Sequence, residues 1–386
     1  MRRIGVAFPG DPNQPSVWSG TPAGVMRGLR AVGVEPVAVD VAPPRYLEQA
    51  AVAAISVGYL RSGGSPRAAV IRAREAARSS RAYTALQSVA APRALRAAGG
   101  LDGIIQIGTG YTLATDRPVV TFEDMTVLQT KSHPYLGWDL LSTKTFDARV
   151  ARQRRAYQTA RACCLTSDWA AESVIRDYGI PAAKVHTVGV GRNREPAYGA
   201  GRDWSRPRFL FVGVDWERKN GPGVLRAFER LREEMPAARL DVVGGHPPLD
   251  SPGVRGHGIL RLDIPEQTDR LNELFGAATC FVMPSHTEAF GIAYVEAAAN
   301  GLPSIGANRG GAEFVIGDGG LIVDPCDDDA LLVAMRQLAD PAVAARTGTT
   351  AKRRAELFTW PAVAQRLLNA LEGLPADTFE SERVSE

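Results

Sequence analysis

Thr279-Cys280-Phe281-Val282-Met283-Pro284-Ser285-His286-Thr287-Glu288-Ala289-Phe290-Gly291-Ile292-Ala293-Tyr294-Val295-Glu296-Ala297 reads as one strand, one loop and one helix. The run from Thr279 to Met283 suits a strand buried on both faces, Pro284 breaks it, and Gly291 marks the start of a helix. A parallel strand followed by a covering helix is half of a βαβ unit, and the same alternation recurs along the chain. In the first half the expected strands are Ile4 to Phe8, Pro36 to Val41, Gly103 to Ile107, Val119 to Phe122, Ala162 to Thr166 and Val185 to Val188. In the second half they are Arg208 to Val212, Arg239 to Val243, Gly258 to Leu262, Thr279 to Met283, Pro303 to Ile305 and Gly320 to Val323. Two sets of six point to an α/β protein of two similar doubly wound domains.

Between the sets, Gly189 through Pro207 holds glycines, Pro196 and several arginines without apolar periodicity, as an interdomain hinge would. The expected domains are 1–195 and 206–357, with a last amphipathic helix at 358–374 and a polar tail, 375–386, expected to be disordered. A length of 386 residues suits that division. The 45 basic and 42 acidic residues leave a net charge of +3, too little for broad neutralisation of nucleic-acid phosphates. Forty of those cations are arginine and five are lysine, a bias that fits genome composition better than a task. No run reaches the roughly 18 to 20 apolar residues of a membrane span, and Met1-Arg2-Arg3 leads into no signal-peptide core, so a cytoplasmic setting is expected. The four cysteines, including adjacent Cys163 and Cys164, show no zinc spacing and read as core and turn thiols.

Ligands of open parallel sheets collect beyond the carboxyl ends of the strands, so two facing sheets would share a cleft. In the opening stretch Glu288 falls in the loop and Glu296 in the helix, and the free N–H groups of the helix start suit a phosphate. On spacing alone two readings stay open: carboxylates that read sugar and ribose hydroxyls, or one capping and one solvated glutamate. After the strand at Arg208 comes Gly213-Val214-Asp215-Trp216-Glu217-Arg218-Lys219-Asn220-Gly221-Pro222. A glycine at a strand end, adjacent cations and a helix start form a diphosphate clamp, with Arg218 chelating oxygens and Lys219 supplying a point charge. Pairing of both cations with Asp215 and Glu217 is the alternative. Near the N-terminus, Trp18-Ser19-Gly20-Thr21-Pro22-Ala23-Gly24 precedes a helix, where Gly20 either admits a phosphate or sugar or is an ordinary turn glycine. The fingerprint G-x-G-x-x-G is missing there, which argues against a dinucleotide dehydrogenase.

Together these residues resemble glycosyltransferase family 4, whose members have the GT-B fold. The resemblance runs nearly the full length, carried also by Ser167-Asp168-Trp169-Ala170-Ala171, Gly189-Val190-Gly191-Arg192-Asn193, Gly310-Gly311-Ala312-Glu313, Gly319-Gly320-Leu321-Ile322-Val323-Asp324-Pro325 and the Trp360 helix. It implies two Rossmann-like domains across a cleft, the first binding acceptor and the second donor, with a C-terminal helix crossing back to the first domain. It implies retaining transfer of a sugar from a UDP- or GDP-sugar to an acceptor hydroxyl, without a protein nucleophile, metal or other cofactor. By similarity Glu288 binds the donor sugar and Glu296 the ribose, while Gly20, Gly213, Ala289, Phe290 and Gly291 line the donor. Arg218 and Lys219 would stabilise the departing diphosphate. The chain departs from the family at Val214, where an arginine usually follows the clamp glycine, and at Glu123-Asp124, where a His-Asp pair is usual. Asp124 is still a candidate for placing the acceptor or the sugar C6 hydroxyl.

Asp327-Asp328-Asp329 opens a helix after Pro325 and reads as capping rather than as a metal site. His133, His186, His246, His257 and His286 lack metal-ligand spacing, and His246 either borders the nucleotide base or is a plain loop histidine. Arg67, Arg74, Arg78 and Arg81 share one helical face, read either as solvated or as a weak peripheral contact with anionic lipid at the membrane's inner face. The acceptor of the implied reaction is a glycan, a lipid-linked species or a small natural product. Two other functions fit the same fold: a nucleotide-sugar epimerase, and a catalytically silent sugar-nucleotide binding protein.

Overall fold

The computed structural model describes residues 1–15, 17–50, 52–53, 70, 73–74, 76–78, 80–133, 141–197 and 201–375. The chain forms two compact units, Met1–Val190 together with the segment from Trp360 onward, and Gly191–Thr359. The first unit contains β1 (Arg3–Phe8), β2 (Glu35–Asp40), β3 (Gly103–Ile107), β4 (Val119–Glu123), β5 (Ala162–Leu165) and β6 (Val185–Thr187). They lie parallel in the order β2-β1-β3-β4-β5-β6. Every residue of β3 and β5 is buried, because a doubly wound sheet is covered on both faces. Cys163 and Cys164 therefore both enter the core although they point to opposite faces.

The helix Thr21–Ala31 packs on the C-terminal helix Trp360–Glu372 through two glycines. A Cβ on Gly24 would lie 1.9 Å from the Trp360 ring, and one on Gly28 would lie 2.2 Å from the Trp360 carbonyl oxygen. Only hydrogen fits, and Trp360 is buried as a result.

The second unit contains β7 (Arg208–Gly213), β8 (Arg239–Gly244), β9 (Val254–Gly256), β10 (Cys280–Val282), β11 (Ser304–Ala307) and β12 (Gly320–Val323). Their order is β12-β11-β10-β7-β8-β9, again all parallel. The α/β class with two doubly wound Rossmann-like units is thus the one observed. One strand differs from expectation: Val254–Gly256 pairs with β8, and 258–262 forms no strand. Gly258 takes φ +65 and its carbonyl accepts the Gly244 N–H, which turns the chain off the sheet. Ile259 and Leu262, whose apolar character suggested a buried strand, are 57% and 56% exposed.

The segment read as a connector, Gly189–Pro207, is tied into the second unit from Gly191 onward. The Arg202 guanidinium donates to the carbonyls of Gly301, Asn300 and Phe275 at 3.0, 2.8 and 3.2 Å, and the Ala197 N–H donates to Asn300 Oδ1 at 2.9 Å. The tail from 376, Arg67 and the side chain of Arg81 lie outside the described residues. Of the remaining stripe, Arg78 pairs with Glu48 at 2.9 Å. Among the described residues no helix is long and apolar enough to cross a membrane.

The glycine contact makes a testable demand on the first unit. Alanine is favoured over glycine in a helix by about 1 kcal/mol. At Gly28 the obstacle is a backbone carbonyl that no rotamer change can move, so overpacking wins. Gly28→Ala should lower stability by about 1–3 kcal/mol, read in urea melts of the purified chain; a midpoint equal to wild type would contradict this packing.

Candidate active site

From β7 the second sheet grows in two directions, through β8 to β9 on one side and through β10 to β12 on the other. Such a reversal opens a crevice beyond the carboxyl ends of the two central strands, here β7 and β10. The loops that leave these ends are residues 214–220 and 283–291, the two clusters read separately from the sequence. The structure brings them together. The His286 N–H donates to the Arg218 carbonyl at 2.9 Å, and Arg218 Nη1 donates to the Thr287 carbonyl at 2.8 Å. The Lys219 ammonium forms an ion pair with the Glu288 carboxylate, and both side chains are almost wholly buried. Ser285 Oγ lies 3.5 Å from the same carboxylate oxygen.

Local sequence explains why these groups converge. The Lys219 N–H donates to the Asp215 carbonyl at 3.0 Å, closing a turn that folds the lysine back over the strand end. A Cβ on Gly213 would sit 2.8 Å from Lys219 Cγ, so this glycine's role within the unit is to leave room for the lysine stem. Asn220 caps the following helix, Gly221–Glu234, by accepting from Gly223 N–H, and its amide donates to the Pro325 carbonyl at 2.7 Å. On the other loop, Gly310 has φ +87 and a Cβ there would strike the Glu288 carbonyl, which accepts instead from Gly311 N–H at 3.0 Å. Gly291 has φ +91 and precedes the helix Ile292–Ala299, whose start has no side-chain cap. Ala289 and Phe290 are buried, with the Phe290 ring against Phe358, so their side chains belong to the core. Burial holds the Lys219 ammonium below its usual pKa; Glu288 opposes that effect and Arg218 adds to it. Arg218 also pairs with Asp215 at 3.4 Å.

Glu296 lies further along the helix Ile292–Ala299 and belongs to a different cluster. Arg194 Nη2 donates to its Oε2 at 2.7 Å, Arg194 Nη1 donates to Asn272 Oδ1 at 2.9 Å, and the guanidinium sits 4.6 Å from the centre of the Phe275 ring. His246 is held by its own loop: its Nδ1 lies 2.7 Å from the Pro247 carbonyl, and its Nε2 accepts the Gly258 N–H at 3.1 Å. With Nε2 accepting, Nδ1 is the donor toward Pro247, and the ring lies beside Trp216. The three aspartates each have a partner: Asp327 caps by accepting from Ala330 N–H, Asp328 pairs with Arg226 at 2.7 Å, and Asp329 pairs with Arg230 at 2.8 Å. Among the described residues no group of three or more His, Cys, Asp or Glu could hold a metal ion.

Gly20 and Asp124 belong to the first unit. Gly20, buried with φ +79, is the last of three consecutive left-handed residues after Trp18 (φ +45) and Ser19 (φ +51). The Trp18 ring stacks on Phe8 at 6.4 Å, and this packing offsets a backbone cost of about 1–3 kcal/mol per non-glycine residue. Asp124 is half-buried just past the end of β4, and its carbonyl accepts from Thr166 Oγ1 at 3.5 Å.

A family model described as Glycosyl transferases group 1 matches residues 206–340. The GDP-mannose-dependent alpha-(1-6)-phosphatidylinositol monomannoside mannosyltransferase of Mycolicibacterium smegmatis is 30% identical over 277 residues, 64% of this chain and 70% of that protein. The chain belongs to the group 1 glycosyltransferases. The D-inositol 3-phosphate glycosyltransferase of Streptomyces avermitilis is 32% identical over 246 residues, 56% of this chain and 53% of that protein. The chain spans about half the length of other relatives of that name as well. Among solved structures, sucrose-phosphate synthase from Thermosynechococcus elongatus matches with a TM-score of 0.64 at 20% identity, over 96% of this chain and 98% of that one, a likeness of fold.

Two further residues of note were missed by sequence reasoning. Arg194 was hidden among forty arginines. Glu123 was passed over for its neighbour Asp124, although a carboxylate ending an apolar strand was a visible signal. It accepts from the Thr109 N–H and hydroxyl, from Gln153 Nε2 at 2.7 Å and from the Tyr157 hydroxyl at 2.8 Å. Gln153 in turn accepts from Val127 N–H at 2.7 Å, so one buried network ties the loops after β3 and β4 to the helix Thr143–Thr159. Burial pushes the Glu123 carboxyl from 4.5 up to about 7, against the pull of the Thr109 and Tyr157 hydrogen bonds. A raised carboxyl pKa means the folded state holds a proton that the unfolded state releases. The stability it contributes is therefore complete below pH 4.5 and lost as pH rises through about 7, on the order of 3 kcal/mol in all. Glu123→Gln should flatten that fall in thermal melts between pH 5 and 8; an unchanged slope would assign the titration to another group.

Proposed function

We propose that the chain is a cytoplasmic, metal-independent, retaining glycosyltransferase of family 4 that moves a sugar from a UDP- or GDP-sugar to an acceptor hydroxyl. The observation that carries this reading is the meeting of Lys219, Arg218 and Glu288 beside the uncapped start of the helix Ile292–Ala299. Two cations and free backbone N–H groups suit a diphosphate, and an adjacent carboxylate suits sugar hydroxyls. The Mycolicibacterium relative is GDP-mannose-dependent by name, which supports a nucleoside diphosphate sugar as donor.

In this reading the second unit binds the donor, the first, with Asp124, serves the acceptor side, and Gly20 counts with the donor-lining residues. The bond from the sugar C1 to the diphosphate oxygen breaks on the face where the acceptor oxygen forms its new bond. The acceptor's proton passes to the departing diphosphate. Charge therefore grows on the diphosphate, where Arg218 and Lys219 act, and no resident metal or other cofactor is needed. Lys219 has three donors, so it can serve the diphosphate while keeping Glu288, which accepts from the sugar. Of the arginine stripe, Arg78 is already paired with Glu48, which favours the solvated reading at that position.

A thermal-shift screen against UDP, GDP, ADP and their sugars should single out one nucleotide, which at a hundredfold excess over Kd stabilises by about 2.7 kcal/mol. With that donor, Lys219→Met and Glu288→Gln should each lower the rate of nucleoside diphosphate release by about 10²–10³-fold. Wild-type rates in both variants would sink the site assignment. Lys219→Met alone also strands a buried carboxylate, at about 3–5 kcal/mol, so the Lys219→Met/Glu288→Gln pair should recover part of the lost stability but none of the lost rate.

A further inference from the structure

Arg194 stands near the start of the second unit and is fixed on three sides, by the Phe275 ring, by Asn272 Oδ1 and by Glu296 Oε2. Its side chain is 10% exposed and that of Glu296 is 13% exposed. An arginine that serves only to neutralise a carboxylate does so best with two parallel N–H···O bonds. Here the fork is split instead: Nη1 goes to Asn272 and Nη2 alone to Glu296, and the buried Nε has no partner among the described residues. The split leaves Glu296 Oε1 without a donor among the described residues. A glutamate side chain otherwise samples several rotamers, and a single strong bond to a fixed cation removes that freedom before any ligand arrives.

We propose that Arg194 is a positioning residue: it holds Oε2 of Glu296 and so presents Oε1 to the vicinal hydroxyls of the donor's ribose. A carboxylate oxygen has lone pairs enough to accept from both hydroxyls of a diol. The inference rests on Glu296 as a ribose ligand and adds the residue that makes its geometry productive. It also gives the segment after Gly191 a part in donor recognition, although none of its side chains need touch the nucleotide.

Titration calorimetry separates the two claims. UDP, GDP and ADP are titrated into the full chain, followed by the 2′,3′-dideoxy counterpart of whichever binds. Wild type should prefer the ribonucleotide by about tenfold or more, the worth of hydrogen bonds to a charged group. Arg194→Met should erase most of that preference by weakening the ribonucleotide alone, and Arg194→Lys, which keeps the charge but not the fork, should retain part of it. Equal losses for both nucleotides, or an undiminished preference, would overturn the role of Arg194. Should Arg194→Met fail to fold in a thermal melt, the Arg194→Lys ratio decides by the same criterion. A preference that falls in Glu296→Gln but persists in the Arg194 variants defeats only the positioning role. A wild type that binds both nucleotides equally, or binds none, defeats the ribose reading and the inference with it.

Discussion

The ion pair between Lys219 and Glu288 joins the two loops on which the second unit's site is built. Each partner is buried, and taking either charge out of water alone would be prohibitive. The pair therefore constrains its surroundings more than it stabilises them. Both loops must leave neighbouring strands, which β7 and β10 supply by lying side by side at the point where the sheet reverses direction. The lysine stem must cross the strand end, which requires a glycine at 213, and the Glu288 backbone must approach Gly310 more closely than any side chain would allow. The buried cation is held by one carboxylate, and Arg218, itself paired with Asp215, lies beside it.

The first unit also buries a carboxylate, at the end of β4, but holds it by a different means. Among the described residues Glu123 has no cation partner; its hydrogen bonds come from Thr109, Gln153 and Tyr157. Desolvation then wins over hydrogen bonding, and the carboxyl tends to keep its proton near neutral pH. The two buried carboxylates, Glu288 in the loop after β10 and Glu123 at the end of β4, thus have opposite characters, one paired with a charge and one tied into an uncharged hydrogen-bond network. The first suits a site that handles charged ligands, and the second suits a structural tie between loops.

Much of this was legible from residue order. The alternation of short apolar runs with helix-length stretches located eleven of the twelve strands among the described residues, most easily the central ones, which are buried on both faces and so read as unbroken apolar runs. The exception, at 258–262, carried apolar side chains that lie on the surface, and pattern alone does not separate an exposed apolar run from a buried edge strand. Glu288, Arg218 and Lys219 stood out because each follows a strand end within a few residues.

Residue order settles the local units: which stretches form strands, where each loop begins, and which charged residues those loops carry. These follow from propensity, periodicity and punctuation by glycine and proline, all properties of neighbours along the chain. Which loops meet is settled by the folded chain alone. Lys219 and Glu288 are 69 residues apart, Arg194 and Glu296 are 102 apart, and Gly24 and Gly28 press on a tryptophan more than three hundred residues away. Those pairings depend on strand order and helix packing, which are set by the burial of the whole apolar surface at once.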